Sequence, residues 1–206
     1  VILCFTNECR QMNEGILRNR LEGEIRHYFS TDTIECDDPE DAADFPIEFI
    51  HSLHPTGLPL HDLALKVGAV VMLLRNLDAK RGLCNGTRMV IVELRRLNFR
   101  ARLLNATEHD DDIIIPRIPL TTTEDDGLPF KLRRLQFPVR LAFSVTINKS
   151  QGQTFDRVGI YLPSPVFSHG QLYVAFSRVR NAESVKVYIP TDADGVTKNV
   201  VFREVL

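Results

Sequence analysis

Short apolar runs divided by polar turns, rather than long amphipathic helices, set the pattern of this chain. Val1-Ile2-Leu3-Cys4 reads as a buried strand. Thr6 or Asn7 can cap the helix that follows, which carries Met12, Ile16 and Leu17 on one face and breaks near Gly23. A strand, a polar cap and a helix open a parallel α/β unit and leave backbone N–H groups free at the strand end. The pattern then dissolves over 30–63, where an acidic run and Pro46, Pro55, Gly57 and Pro59 predict a connector crossing the surface. From 67 onward short strands are expected at 67–74, 89–94, 99–104, 113–115 and 136–142, with Asn85-Gly86 as a turn. Strands at such spacing without helices between them predict a small β-barrel. The α/β grammar returns with strands at 139–144, 155–162 and 185–189, and with a helix from an N-cap at Ser168 through Ser177.

Two stretches of this last part carry candidate chemistry. Ala142-Phe143-Ser144-Val145-Thr146-Ile147-Asn148-Lys149-Ser150-Gln151-Gly152-Gln153-Thr154 is an apolar run delivering hydroxyl, amide and basic groups to a loop closed by glycine, which suits an anion. His169-Gly170-Gln171-Leu172-Tyr173-Val174-Ala175-Phe176-Ser177-Arg178 reads as a helix with one arginine near its end. One strand separates them, so a single site is expected. Arg178 there suits developing negative charge on a phosphoryl group, and a surface ion pair with Glu183 is its alternative role. Thr6 and Asn7 either only cap their helix or also hold a phosphate. Lys149-Ser150 does not complete a phosphate-binding loop, because Asn148 and not glycine precedes the lysine.

Composition narrows the picture further. With 206 residues, 44% of them hydrophobic, the chain can bury a sizeable core. No run approaches the roughly 18 apolar residues of a membrane span, so a soluble chain without a membrane partner is expected. It begins at Val1 with no leader pattern, which is read as a piece of a longer protein. Cys4, Cys9, Cys36 and Cys84 form no C-x-x-C pair, so reduced thiols and an intracellular compartment are expected. His51, His54 and His61 lack helical ligand spacing, and no metal is assigned to them. The net charge of −2 is polarised: 1–60 holds 4 Lys and Arg against 12 Asp and Glu, whereas 61–140 holds 14 against 10. Arg95, Arg96, Arg100, Arg102, Lys131, Arg133 and Arg134 could therefore line a nucleic-acid track, although charge alone suits an ordinary solvated face equally well.

The same two stretches, together with Val1-Ile2-Leu3-Cys4-Phe5-Thr6-Asn7-Glu8, Leu65-Lys66-Val67-Gly68, Leu73-Leu74-Arg75-Asn76-Leu77-Asp78, Gly82-Leu83-Cys84-Asn85-Gly86-Thr87 and Gln136-Phe137-Pro138, resemble in order the second half of a PIF-type DNA helicase. The flavour is that of the helicases carried by Helitron transposons. The resemblance implies an α/β, RecA-like second motor domain of the P-loop NTPase type, split into 1–28 and 141–206. It implies a connector over 29–64 and an inserted Src-homology-three-like barrel over 65–140. It gives Thr6, Asn7, Thr146, Asn148, Lys149 and Ser150 to the DNA strand, Gln151 and Gly152 to ATP, and Arg178 to the γ-phosphate.

The implied activity is ATP-dependent translocation 5′ to 3′ on single-stranded DNA or a DNA fork, in the setting of repair, recombination and telomere maintenance. A monomer is implied, nuclear in a eukaryote. No Walker A loop and no magnesium-holding acid follow a strand here, so ATP with Mg²⁺ is expected to depend on an N-terminal RecA-like half of the same protein. This stretch alone is expected to hydrolyse nothing. The alternative from the residues is a non-enzymatic module that grips single strands by charge and stacking.

Overall fold

The computed structural model describes residues 1–4, 6–36, 45–104, 112–123, 126–190 and 196–202. Its elements run β1 (Ile2–Cys4), α1 (Thr6–Asn19), β2 (Arg26–Phe29), β3 (Thr31–Glu35), α2 (Ile47–Ser52), β4 (Asp62–Leu65), β5 (Val70–Leu73), β6 (Arg88–Leu94) and β7 (Asn98–Leu103). They continue with β8 (Ile113–Pro116), β9 (Ile118–Thr121), β10 (Lys131–Gln136), β11 (Val139–Leu141), β12 (Ser144–Thr146), β13 (Val158–Tyr161), α3 (Gln171–Phe176) and β14 (Val185–Tyr188). None of the described helices is long and apolar enough to cross a membrane. The fold is mixed α/β, and the chain divides into two compact units, Val1–Ile16 with Ala142–Leu206, and Leu17–Leu141.

The first unit is built on a parallel sheet of order β12-β1-β13-β14. Leu3, Val145 and Ile160 align across three of its strands and are all buried, as expected for a sheet covered by its own connections. Parallel strands share one carboxyl-terminal edge, here marked by Cys4, Thr146, Tyr161 and Tyr188. The strand expected over 139–144 is in fact two. β11 pairs antiparallel with β5, and β12 pairs parallel with β1 after an interruption at Ala142 and Phe143. The helix after β13 is capped by Gly170 in the left-handed region (φ 71°), not by Ser168, whose carbonyl accepts from Gln171 N–H.

Cys4 and Cys9 are bonded as a disulfide, which corrects the expectation of reduced thiols for that pair. Their Cα atoms lie 5.8 Å apart, within the bridging range, a geometry that C-x-x-C spacing rules do not cover.

The second unit is antiparallel throughout, with sheets of order β11-β5-β6-β7-β8 and β3-β10-β9 and a β2-β4 pair. Phe137 meets Phe99 and Tyr28 edge-on at 5.1 and 5.0 Å, and all three are buried. The connector expected over 29–64 is corrected: among its described residues it holds β3, α2 and most of β4. Ile50 and Leu58 of this stretch join Leu120, Phe130 and Leu132 in one buried cluster. Prolines exclude long elements but not these short ones, and Pro46 stands directly before α2.

A buried polar group adjoins that cluster at Ile50. Arg134 has no exposed surface, and its guanidinium donates to both carboxylate oxygens of Asp32 at 2.7–3.1 Å. Its remaining N–H groups meet the carbonyls of Ile50, Leu53 and Pro59 at 3.0–3.2 Å. A buried pair repays its desolvation only when every donor is met, which holds here. Beside it His61 stacks on His51 at 3.5 Å, and its Nδ1 lies 2.8 Å from Ser30 Oγ. Ser30 in turn donates to Asp32 at 2.7 Å.

Replacing one partner of the buried pair, as in Arg134→Met, strands a carboxylate and is expected to cost about 3–5 kcal/mol. Denaturant unfolding measures it, and Arg134→Met with Asp32→Leu should recover a large part of the loss. The second expectation concerns pH. Burial, then the neighbouring His51 and Arg134, hold His61 below its ordinary value against the opposing pull of Asp32 and Asp62. The unfolded chain therefore takes up the proton first, near pH 6.5, so this stabilisation is complete above that value and is lost as pH falls through the lower folded value. Melting temperatures between about pH 7.5 and about pH 5 should fall more steeply for the native chain than for His61→Gln.

Candidate nucleic-acid and nucleotide interface

The carboxyl-terminal edge of the parallel sheet gathers the candidate residues of the first unit. β1 runs into α1 and the adjacent β12 runs into the loop after Thr146, so both connections leave the sheet side by side. Thr6 and Asn7 form the opening of α1 rather than the position before it, so their backbone N–H groups belong to the unpaired first turn. Ile147 N–H donates to Cys4 O at 3.1 Å, anchoring the start of the loop to the end of β1.

From that anchor the loop closes as a 3-10 turn, Asn148–Ser150. The half-buried Thr146 accepts from Lys149 N–H through Oγ1 at 3.3 Å, and Ile147 is buried beneath the turn. Asn148 and Lys149 thereby stand exposed at its apex. Ser150 does not join them: it is fully buried, and its hydroxyl donates to Ile147 O at 2.6 Å. The hydroxyl expected on a DNA strand is a scaffold of the turn in this conformation. Gln151 and Gly152 are exposed, Gly152 with φ 79°, a region in which a side chain would be strained.

Arg178 is tied to this same loop. Its Nη1 donates to Ser150 O at 3.2 Å and Gln153 O at 3.0 Å, Nε donates to Val174 O at 2.9 Å, and Nη2 donates to Ser177 Oγ at 2.9 Å. Phe155 N–H returns a bond to Arg178 O at 2.8 Å. Among the described residues no ion pair joins it to Glu183. The arginine therefore braces the turn whose apex presents Asn148 and Lys149.

Two contributors escaped the sequence reading. Asn13 on α1 pairs both backbone groups of Ser144, accepting from its N–H at 2.8 Å and donating to its carbonyl at 3.0 Å, while Ser144 Oγ donates to Cys9 O at 2.9 Å. Asn13 and Cys9 are one helical turn apart, and that spacing was the available signal. Ser177 escaped as well, although it neighbours Arg178.

The arginine-rich track expected in the second unit is corrected in part. Arg95 and Arg100 both pair with Glu93, and Arg100 and Arg102 both pair with Asp112. Hydrogen bonding from Arg95 holds Glu93, and from Arg100 holds Asp112, below the ordinary carboxylate values. Arg134 is the buried guanidinium described above. Arg96, Lys131 and Arg133 remain exposed, with no carboxylate within salt-bridge distance among the described residues.

One group of three metal-ligand types occurs among the described residues, Asp32, His51 and His61, with ligand atoms within 4.8 Å of one another. Asp32 is already committed to Arg134 and Ser30, so this group does not match a magnesium site. The first unit has no such group among its described residues.

A four-stranded parallel sheet with polar turns on its carboxyl edge, joined in one chain to an antiparallel unit, is a mixed α/β fold resembling Pif1 helicase domains. A family model described as DNA helicase Pif1, 2B domain, matches residues 48–94. The ATP-dependent DNA helicase PIF1 of Danio rerio is 44% identical over 129 residues, and that of Homo sapiens 42% over 129, each match covering 61% of this chain and 19% of the relative. The crystal structure of Pif1 helicase from Candida albicans superposes over 100% of this chain and 48% of that one, with 25% identity and a TM-score of 0.71. Bacteroides Pif1 bound to single-stranded DNA covers 91% of this chain and 40% of that one, with 30% identity and a TM-score of 0.62. The chain thus spans about a fifth of the length of the curated relatives it matches, and its similarity in sequence and in fold is to Pif1 helicases.

Proposed function

We propose that this chain is the C-terminal motor portion of a Pif1-type, ATP-dependent DNA helicase, moving 5′ to 3′ on single-stranded DNA. In this reading the first unit is a RecA-like second motor domain, split by a second unit that contains a small Src-homology-three-like barrel. Its motif pattern is that of Helitron-borne helicases. The backbone at Thr6 and Asn7 and the exposed apex Asn148-Lys149, with Thr146 beneath it, meet the DNA backbone. Gln151 and Gly152 face ATP. An N-terminal RecA-like half supplies the phosphate-binding loop and the magnesium ligands, and the present portion alone hydrolyses no ATP.

The observation that carries the proposal is the bracing of the turn by Arg178. Four of its hydrogen bonds run to neutral oxygens of its own unit, so its charge is neutralised by no carboxylate among the described residues. Such a guanidinium stabilises an anion that arrives from elsewhere, here the γ-phosphate as charge develops on it. Because the same group holds Ser150 and Gln153, engagement of a nucleotide is transmitted to the loop that presents Lys149. A relative solved with ADP-AlF₃ and single-stranded DNA, Bacteroides Pif1, supports placing both ligands on one such protein.

The test is a split between two variants of the complete protein. Arg178→Ala should lower DNA-stimulated ATP hydrolysis by about 10³ or more even at saturating DNA, where loosening of the turn that presents Lys149 no longer limits binding. Lys149→Ala should weaken strand binding and flatten its salt dependence, with turnover retained at saturating DNA. Normal turnover in Arg178→Ala, with the fold intact by melting temperature, would overturn the γ-phosphate role of Arg178, whereas absence of ATP hydrolysis by the native complete protein would favour the non-enzymatic strand-binding module instead.

A further inference from the structure

The carboxyl edge of the parallel sheet extends past β1 to β13 and β14, where no motif residue was assigned. Tyr161 and Tyr188 are direct neighbours in register there, and each is the last residue of its strand. Their rings stack at 5.1 Å with an interplanar angle of 20°. Leu162 N–H donates to Tyr188 O at 3.0 Å, which fixes the two strand ends together. Tyr161 is half-buried, whereas Tyr188 is 56% exposed on the outermost strand. Two residues back on β14, and so on the same face, stands the exposed Lys186, opposite Gly159.

We infer that Tyr188, ordered by Tyr161, is a stacking platform for an unpaired nucleobase of a DNA strand, and that Lys186 meets a phosphate of the same strand. This rests on the strand-binding reading above. A tyrosine already packed against a second ring offers an aromatic face with little ordering cost, and any base can use it because every base has a π-face. Lys186 lies about 7 Å along the strand from Tyr188, the scale of a base-to-phosphate separation within one nucleotide. Charge complementarity favours a nucleic acid over a second apolar protein surface, since a lysine shares the tyrosine's face. The edge also places the platform some 14 Å across the sheet from β12, within reach of one short oligonucleotide that touches the Asn148-Lys149 apex.

The test uses the chain as it stands, with labelled oligothymidylate and an abasic oligonucleotide of equal length as probes. The chain has no tryptophan and four tyrosines, so quenching of tyrosine emission reports stacking directly. Tyr188→Ala should lower oligothymidylate affinity about tenfold, remove part of the quenching, and leave the salt slope and abasic affinity unchanged. Tyr188→Phe, which keeps the ring, should bind as the native chain does and guards against a folding artefact. Unchanged oligothymidylate affinity in Tyr188→Ala, or an equal loss on the abasic probe, overturns the platform while strand binding stands. Failure of the native chain to bind either probe overturns both the platform and the strand-binding reading.

Discussion

The parallel pairing of β1 with β12 joins residues about 140 positions apart, Ile2 with Ser144 and Cys4 with Thr146, and the candidate site exists only because of it. Neither strand exceeds three residues, so backbone bonds alone hold little. Side chains complete the junction: Asn13 satisfies both backbone groups of Ser144, Ser144 reaches Cys9 O, and Ile147 N–H reaches Cys4 O. Losing Asn13 would strand two buried backbone groups, and an unmet buried group costs about 1–3 kcal/mol. With the junction made, the opening of α1 and the turn after β12 emerge together on the edge where open parallel sheets receive ligands.

The second unit is ordered by a different constraint. A buried guanidinium must have all its donors met, and Arg134 finds them on Asp32 of β3 and on three carbonyls between Ile50 and Pro59. That requirement draws an otherwise proline-punctuated stretch against β10 and fixes where its short helix sits. The arginines of β7 are balanced by Glu93 and Asp112, which leaves less net positive charge on that sheet than the sequence count suggests.

Much of this was legible in the sequence, and the gaps have physical causes. The apolar runs of β1, β6, β7 and β13 lie where period and turn residues put them. Arg134 was misread by composition, although the alternation of Leu132, Arg134 and Gln136 against Lys131, Arg133 and Leu135 already sets it on the inner face. Ser150 looked like a ligand because serine beside lysine suits an anion, but in a 3-10 turn a serine hydroxyl has its own carbonyl three residues back. The break between β11 and β12 was hidden because an apolar run carries no mark of which sheet each half joins. The partners of Arg178 are all oxygens of backbone or of Ser177, which charge patterning cannot reveal.

The central claim is that a DNA strand lies on the carboxyl edge of the first unit, at the opening of α1 and the turn braced by Arg178. Hydrogen exchange of the backbone amides, with and without a short single-stranded oligonucleotide, addresses it most directly. The account requires slower exchange at 147–152 and in the first turn of α1 on adding DNA, with β7 unchanged. Protection confined to β7 and its neighbours, with the 147–152 amides exchanging as before, would contradict it.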